Sequence, residues 1–261
     1  MSGSRSPIDF YVGYRTDNSK AQGRFTRRAT LVLLVGSLGV GALLALLQTP
    51  FDAGIFEFGQ VREVEGLLRV EPQPALVLTA PISLPPAASA NGMENSVNEL
   101  LLVELGKHGA SDLDALAGRT VRARGTLIAR EAVAMLELAE PPEALGTARQ
   151  SLRSAVPTDQ QVELTGEIVD SKCFLGVMKP GRGKVHRACA TLCLEGGIPP
   201  AFLVRNEDGE EWVALLLDEN GEAPRRPLAP WVGEAVTLSG SVHARQDAIT
   251  EFHVDLDGQL P

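Results

Sequence analysis

Beyond its first fifty residues the chain runs mostly in a two-residue rhythm. "VELTGEIV" (162–169) and "VTLSGSV" (236–242) alternate apolar and polar positions, as half-buried strands do. Each carries a glycine at a position suited to a bend or bulge. "VREVEGLLR" (61–69) and "GRTVRARGTLIAR" (118–130) repeat the pattern, and Gly and Pro punctuate the intervals. Two segments break the rhythm. "ATLVLLVGSLGVGALLALL" (Ala29–Leu47) is 19 residues without a charge, long enough to cross a bilayer core of about 30 Å. "HRACATLCLEGGIPP" (186–200) reads as a short helix stopped by Gly196-Gly197 and by the prolines after them.

The strands recur in the same order twice. "GRTVRARGTLIAR" aligns without gaps to "GEAVTLSGSVHAR" (233–245), 61–69 to "QVELTGEIVD" (161–170), "PALVL" (74–78) to "PAFLV" (200–204), and "ELLLVELGKHG" (99–109) to "WVALLLDENGE" (212–222). Preserved order over four segments predicts an internal duplication. About five short, glycine-bent strands per copy resemble the OB-fold type of small barrel, by analogy of fold alone. The expected architecture is mainly β. A tail (1–28) and a transmembrane anchor (29–48) lead to two tandem OB-like barrels (56–140 and 161–258), joined by a linker (141–160). The copies differ at one place. Between the first two strands, copy one has only "VEPQ" (70–73), and copy two has residues 171–199. Insertions this long are usually functional or disordered, and the loop after the first strand of such a barrel borders its binding face. Copy one is expected to be scaffold and copy two the working domain.

Charge orients this plan. The net charge is −9 overall, which argues against a nucleic-acid-binding role. Residues 1–28 are nevertheless net +4. Arg24, Arg27 and Arg28 precede the apolar run and Asp52 and Glu57 follow it, which predicts a cytoplasmic N-terminus with the barrels outside the cytoplasm. A cleaved signal peptide is the competing reading, but the charged region is long and "LLQTPF" offers no small-residue cleavage site. "TRRATL" matches a twin-arginine signal only in part. Ser37, Gly41 and Ala45 form a small-residue stripe that would let the anchor pair with another helix.

All three cysteines lie in "CFLGVMKPGRGKVHRACATLC" (173–193). His186, Cys189 and Cys193 are spaced i, i+3, i+7, which places them on one helical face, and Cys173 must reach them from the loop. Three chemistries remain open. A disulfide would join Cys173 to Cys189 or Cys193, because side chains one turn apart on a regular helix converge poorly, and it leaves an odd thiol. A metal site would use Cys173, His186, Cys189 and Cys193 around zinc, iron or copper, with Asp170 behind the histidine or as a fifth ligand. A reactive thiol would be activated by Lys172, Lys179, Arg182, Lys184 and Arg187. The same five cations could instead gather an anionic ligand or an acidic partner over "KPGRGK" (179–184). His108, His243 and His253 read as isolated surface or barrel histidines, Trp212 and Trp231 as core or rim residues, and "NEDGEEW" (206–212) as a hairpin turn. G-x-S-x-G, H-E-x-x-H and C-x-x-C-H signatures are absent, so hydrolase, zincin and c-type haem chemistry lack support.

The stretch from Gly166 to Val204 contains D-x-K-C, then H-x-x-C-A-x-x-C, then G-x-P before a strand. This pattern resembles one found in bacterial membrane-anchored extracytoplasmic proteins. The resemblance implies that setting and no particular activity. The combined expectation is a non-catalytic metal-binding or redox accessory protein of the bacterial inner membrane, working with a membrane-protein partner. The alternative is a binding module whose cysteines form a structural disulfide.

Overall fold

The structure is a computed structural model that describes residues 19–48, 53–149, 160–206, 211–224, 227–244 and 249–260. The beginning of the N-terminal tail (1–18), the end of the linker (150–159) and the turn at 207–210 lie outside the described residues. The chain divides into two units, Met1–Pro50 and Phe51–Pro261.

The first unit is helix α1, Lys20–Leu47. Its 28 residues extend about 42 Å at 1.5 Å per residue. Ser19 caps the start by accepting a hydrogen bond from Gln22 N–H. None of its residues is buried, and it is long and apolar enough to cross a membrane.

The second unit is mainly β. Its strands are β1 (Ile55–Phe56), β2 (Arg62–Arg69), β3 (Ala75–Leu84), β4 (Asn95–Val103), β5 (Arg119–Arg130), β6 (Val133–Leu138), β7 (Glu143–Arg149), β8 (Gln160–Asp170), β9 (Pro200–Arg205), β10 (Glu211–Asp218), β11 (Ala235–His243) and β12 (Glu251–Val254). Two five-stranded circuits close. The first runs β2-β3-β4-β6-β5 and returns to β2; the second runs β8-β9-β10-β12-β11 and returns to β8. In each, the third strand pairs parallel to the fifth and the other pairs are antiparallel. Taken in the order given above, the four segment pairs matched in the sequence fall on the fourth, first, second and third strands of each barrel, counted along the chain.

Glycines explain how such short strands curve into closed rings. A Cβ at Gly66 of β2 would lie 2.4 Å from Val77 O, and one at Gly166 of β8 would lie 2.4 Å from Leu203 O. Gly125 of β5 and Gly240 of β11 meet Glu137 O and His253 O in the same way. In each ring the paired neighbouring strand thus comes so close to the first and the fourth strand that no side chain would fit at these glycines. Pro81 sits where the β3–β4 register shifts, between Val77 and Ile82, since it has no N–H for the ladder.

The runs "LLLV" in β4 and "ALLL" in β10 are continuously apolar because both faces of these strands are covered. Leu100 and Leu102 point into the first barrel, and Ala214 and Leu216 into the second. Their alternates Leu101, Val103 and Leu215 join a third core between the barrels, with Ile128, Met135, Val169 and Leu203. Phe174, Leu175 and Cys193 from residues 171–199 fill the same core. The insertion is therefore packed between the barrels.

Residues 143–149, read as linker, form β7, which pairs with the start of β5. The reason is the length of β5. Its 12 residues outrun any single neighbour, so β2, β6, β7 and β1 each hydrogen-bond to part of it.

Candidate functional site: a thiol–imidazole cluster between the barrels

The site begins where β8 ends. Asp170, the last residue of β8, is fully buried. Its Oδ1 accepts a hydrogen bond from Cys173 N–H at 2.8 Å. This starts the wide helical turn Cys173–Val177. Its Oδ2 lies 3.0 Å from His186 Nε2. One buried carboxylate thus fixes both the backbone of Cys173 and the plane of the imidazole, the arrangement that orients a ligating histidine.

Helix α2 (Arg187–Glu195) supplies the other two thiols. His186 occupies its cap position, and its carbonyl accepts from Cys189 N–H and Ala190 N–H. The predicted stop is present: Gly196 N–H bonds Leu192 O, and Gly197, with φ +91°, carries the chain out of the helix. Cys173 and Cys193 are buried, Cys189 is half-buried, and all three are free thiols.

These elements bring together every residue of the expected metal set. Ligand atoms of Cys173, His186 and Cys189 lie within 4.8 Å of one another, as do those of Asp170, Cys173 and Cys193. Cys173 belongs to both groups, so the residue that comes from the loop joins the two halves. Cys173 Sγ is 4.0 Å from Cys193 Sγ.

One member of the cluster was not legible in the sequence. Lys107, in the loop between β4 and β5 of the first barrel, places its Nζ 2.8 Å from Cys189 Sγ and 3.5 Å from Cys193 Sγ. It also donates to Cys189 O at 3.3 Å. The contact spans 82 residues of sequence, and nothing in "ELGKHG" marks this lysine apart from a surface one. The expectation that copy one is only scaffold is corrected on this point. The first barrel contributes a charge to the cluster because its loop is docked on the end of α2. Gly109 N–H bonds Gly196 O at 2.9 Å. The two chains meet so closely that a Cβ on Gly196 would lie 1.8 Å from Lys107 O, and one on Gly109 would lie 2.1 Å from Gly197 O.

The electrostatics distinguish the thiols. The hydrogen bond with Cys173, aided by the Lys107 ammonium, lowers Cys193 to about 7 against the effects of burial and of Asp170. Cys173 is raised for the complementary reasons: it holds its proton in the bond to Cys193, it is buried, and Asp170 is beside it. The bond to Cys189 raises Lys107. Cys193 is therefore the thiolate of the buried pair and Cys173 its proton donor.

The five cations expected around the thiols are placed elsewhere. Lys172 is the plainest correction. It is buried, forms an ion pair with Glu137 of β6 at 2.6 Å, and donates to the carbonyls of Glu104 and Gly106 at 2.8 and 2.7 Å. It fastens the loop that carries Lys107, so it has no face for an anionic ligand. Arg182 pairs with Glu211, Lys184 with Glu234 at 3.1 Å, and Arg187 with Glu234 at 2.8 Å. Lys179 is exposed. The insertion's positive charge is largely matched by glutamates of the second barrel, which an acidic protein has in excess. Of the other histidines, His108 is exposed. His243 and His253, read as isolated, stack on each other with ring centroids 4.0 Å apart. Trp231 packs against the core of the second barrel.

Comparison with models of protein families, with curated proteins and with solved structures finds no match.

Proposed function

We propose that this protein is a membrane-anchored, extracytoplasmic accessory protein that holds a soft transition metal between two OB-like barrels. The observation that carries the proposal is the convergence of Cys173, His186, Cys189, Cys193 and Asp170 on one partly buried site, in two triads that share Cys173. The donor set suits such a metal. Thiolate and imidazole select zinc, copper(I) or iron over calcium and magnesium. Two thiolates about 2.3 Å from a tetrahedral zinc lie about 3.8 Å apart, close to the 4.0 Å between Cys173 and Cys193. A disulfide would need about 2.05 Å. Three thiolates, the Asp170 carboxylate and a neutral imidazole around a divalent ion leave two negative charges, of which the Lys107 ammonium at the cluster offsets one; a monovalent ion would leave a further charge unmatched. That balance favours zinc or iron(II) over copper(I).

The strand order of both barrels supports the OB-like reading, since each closes by parallel pairing of its third and fifth strands. The anchor reading rests on α1 and on Arg24, Arg27 and Arg28 at its N-terminal end, which favour a cytoplasmic N-terminus in a bacterial inner membrane. Ser37, Gly41 and Ala45 on α1 give the anchor a face for a second copy or for a membrane-protein partner. The anion-binding alternative is weaker, because Arg182, Lys184 and Arg187 already face carboxylates.

Metal analysis and a thiol count on one sample of the full chain, purified anaerobically in detergent, test the proposal. The expected result is a stoichiometric transition metal, with thiols that react fully only after chelation. Metal-free protein carrying a Cys173–Cys193 disulfide sinks it.

A further inference from the structure

Lys107 Nζ and Cys189 Sγ are 2.8 Å apart. Two single bonds meeting at one atom put their outer atoms about 2.5 Å apart, and sulfur's larger radius lengthens that span. Amine and thiol therefore already stand at nearly the separation that one bridging oxygen would impose. Both residues are half-buried and so within reach of a small oxidant. Cys193 is less well placed, being buried and 3.5 Å from the same nitrogen.

We propose that Lys107 and Cys189 form an oxygen-bridged lysine–cysteine cross-link, N–O–S, with dioxygen as the oxidant. The step balances with amine, thiol and one dioxygen: R–NH2 + R′–SH + O2 → R–NH–O–S–R′ + H2O. One N–O and one O–S bond form and the O–O bond breaks. Sulfur and nitrogen are each oxidised by two electrons, and dioxygen takes all four. The two hydrogens in the water come one from the amine and one from the thiol. Two equivalents of a strong dithiol reductant, each giving two electrons and two protons as it becomes a disulfide, undo the bridge and return amine, thiol and water.

The bridge has two consequences at this position. It ties the β4–β5 loop of the first barrel covalently to α2, where Gly109 and Gly196 already hold the two together. It also consumes Cys189, which removes one thiolate from the Cys173–His186–Cys189 triad. The site then reports oxidant through the loss of a ligand. This inference rests on the Lys107–Cys189 contact and goes beyond the metal reading.

Peptide mapping by mass spectrometry tests it on the full chain in detergent, stripped with a chelator and divided between air and an anaerobic chamber. The expected product in air is a pair of peptides joined through Lys107 and Cys189. It is about 14 Da heavier than their sum, for one oxygen gained and two hydrogens lost, and dithiothreitol abolishes it. A disulfide is about 2 Da lighter than its parts and does not involve Lys107. Oxidation that yields only a Cys173–Cys193 disulfide, or only sulfinic acid at Cys189, overturns the proposal. Lys107→Arg keeps a cation at the thiols but lacks the amine. It is expected to lose the cross-link in air. Metal content and cross-link are separate readouts, so failure of one reading is distinguishable from failure of the other.

Discussion

Substitution of Gly196 by alanine isolates the docking of the first barrel on the thiol cluster. Gly196 has φ −81° and ψ 1°, a conformation open to alanine, so the backbone itself resists nothing. The obstacle is the neighbour. The new Cβ would lie 1.8 Å from Lys107 O, whereas carbon and oxygen settle at about 3.3 Å. The loop must retreat by about 1.5 Å. A retreat of that size breaks the Gly109 N–H to Gly196 O bond and withdraws Lys107 from Cys189. Overpacking of this kind costs about 1–3 kcal/mol, and the lost backbone bond accounts for about 1 kcal/mol of it. Taking about 2 kcal/mol, and about 2–4 °C per kcal/mol for a unit of this size, the melting temperature of the second unit should fall by about 4–8 °C. Calorimetry of metal-free, reduced protein reads this. Gly146→Ala is the control, because its Cβ meets nothing within 4 Å. A Gly196→Ala protein that melts within about 1 °C of the parent, with unchanged thiol reactivity, refutes the claim that this close approach holds Lys107 in place.

Three other predictions concern the same region. Lys172→Met should destabilise by about 3–5 kcal/mol, because it strands the buried Glu137 carboxylate, and adding Glu137→Leu should restore part of the loss; urea melts in which the double variant is no better than the single one would argue against the ion pair. Asp170→Asn should weaken zinc binding by about 10–100-fold by loosening His186, read by competition with a chromophoric chelator; unchanged affinity would remove Asp170 from the site. Stability of metal-free protein should rise between about pH 7 and 9 and fall above it. Across the lower range Cys193 is ionised when folded but protonated when unfolded, so stability grows with pH. Above the ordinary thiol range Cys173 keeps its proton only in the fold, so stability is lost as pH rises. Because the bond between the two thiols is the largest cause of both shifts, Cys193→Ser should lose the rising limb and shrink the falling one, and Cys173→Ser should lose the falling limb and shrink the rising one; denaturation profiles that match the parent would contradict the assignment of thiolate and thiol.

Local chemistry is what the sequence carries well. Alternation of apolar and polar residues marked the strands, because a strand's facing has a two-residue period wherever one side is wet. The spacing of His186, Cys189 and Cys193 with the Gly-Gly stop marked α2, because helix pitch and helix termination depend on neighbours in the chain. Comparing the two copies marked residues 171–199 as the insertion, and the strands that bound it end at Asp170 and resume at Pro200. What depends on packing across the chain was not legible. The apolar runs in β4 and β10 fit strands, but only the fold shows that their outward faces meet in a shared core. The strand at 143–149 exists because β5 has backbone groups to satisfy beyond its other partners. Lys172 read as a solvated cation, yet a carboxylate and two carbonyls of the first barrel receive it. Lys107, in a segment without cysteine or motif, became the charge on the thiols. By itself the sequence determined the strands, the apolar helix and the ligand types of the cluster. The tertiary structure decided which cation reaches the sulfurs, because a charge acts over a few ångströms of space and a loop of one barrel lies against the helix of the other.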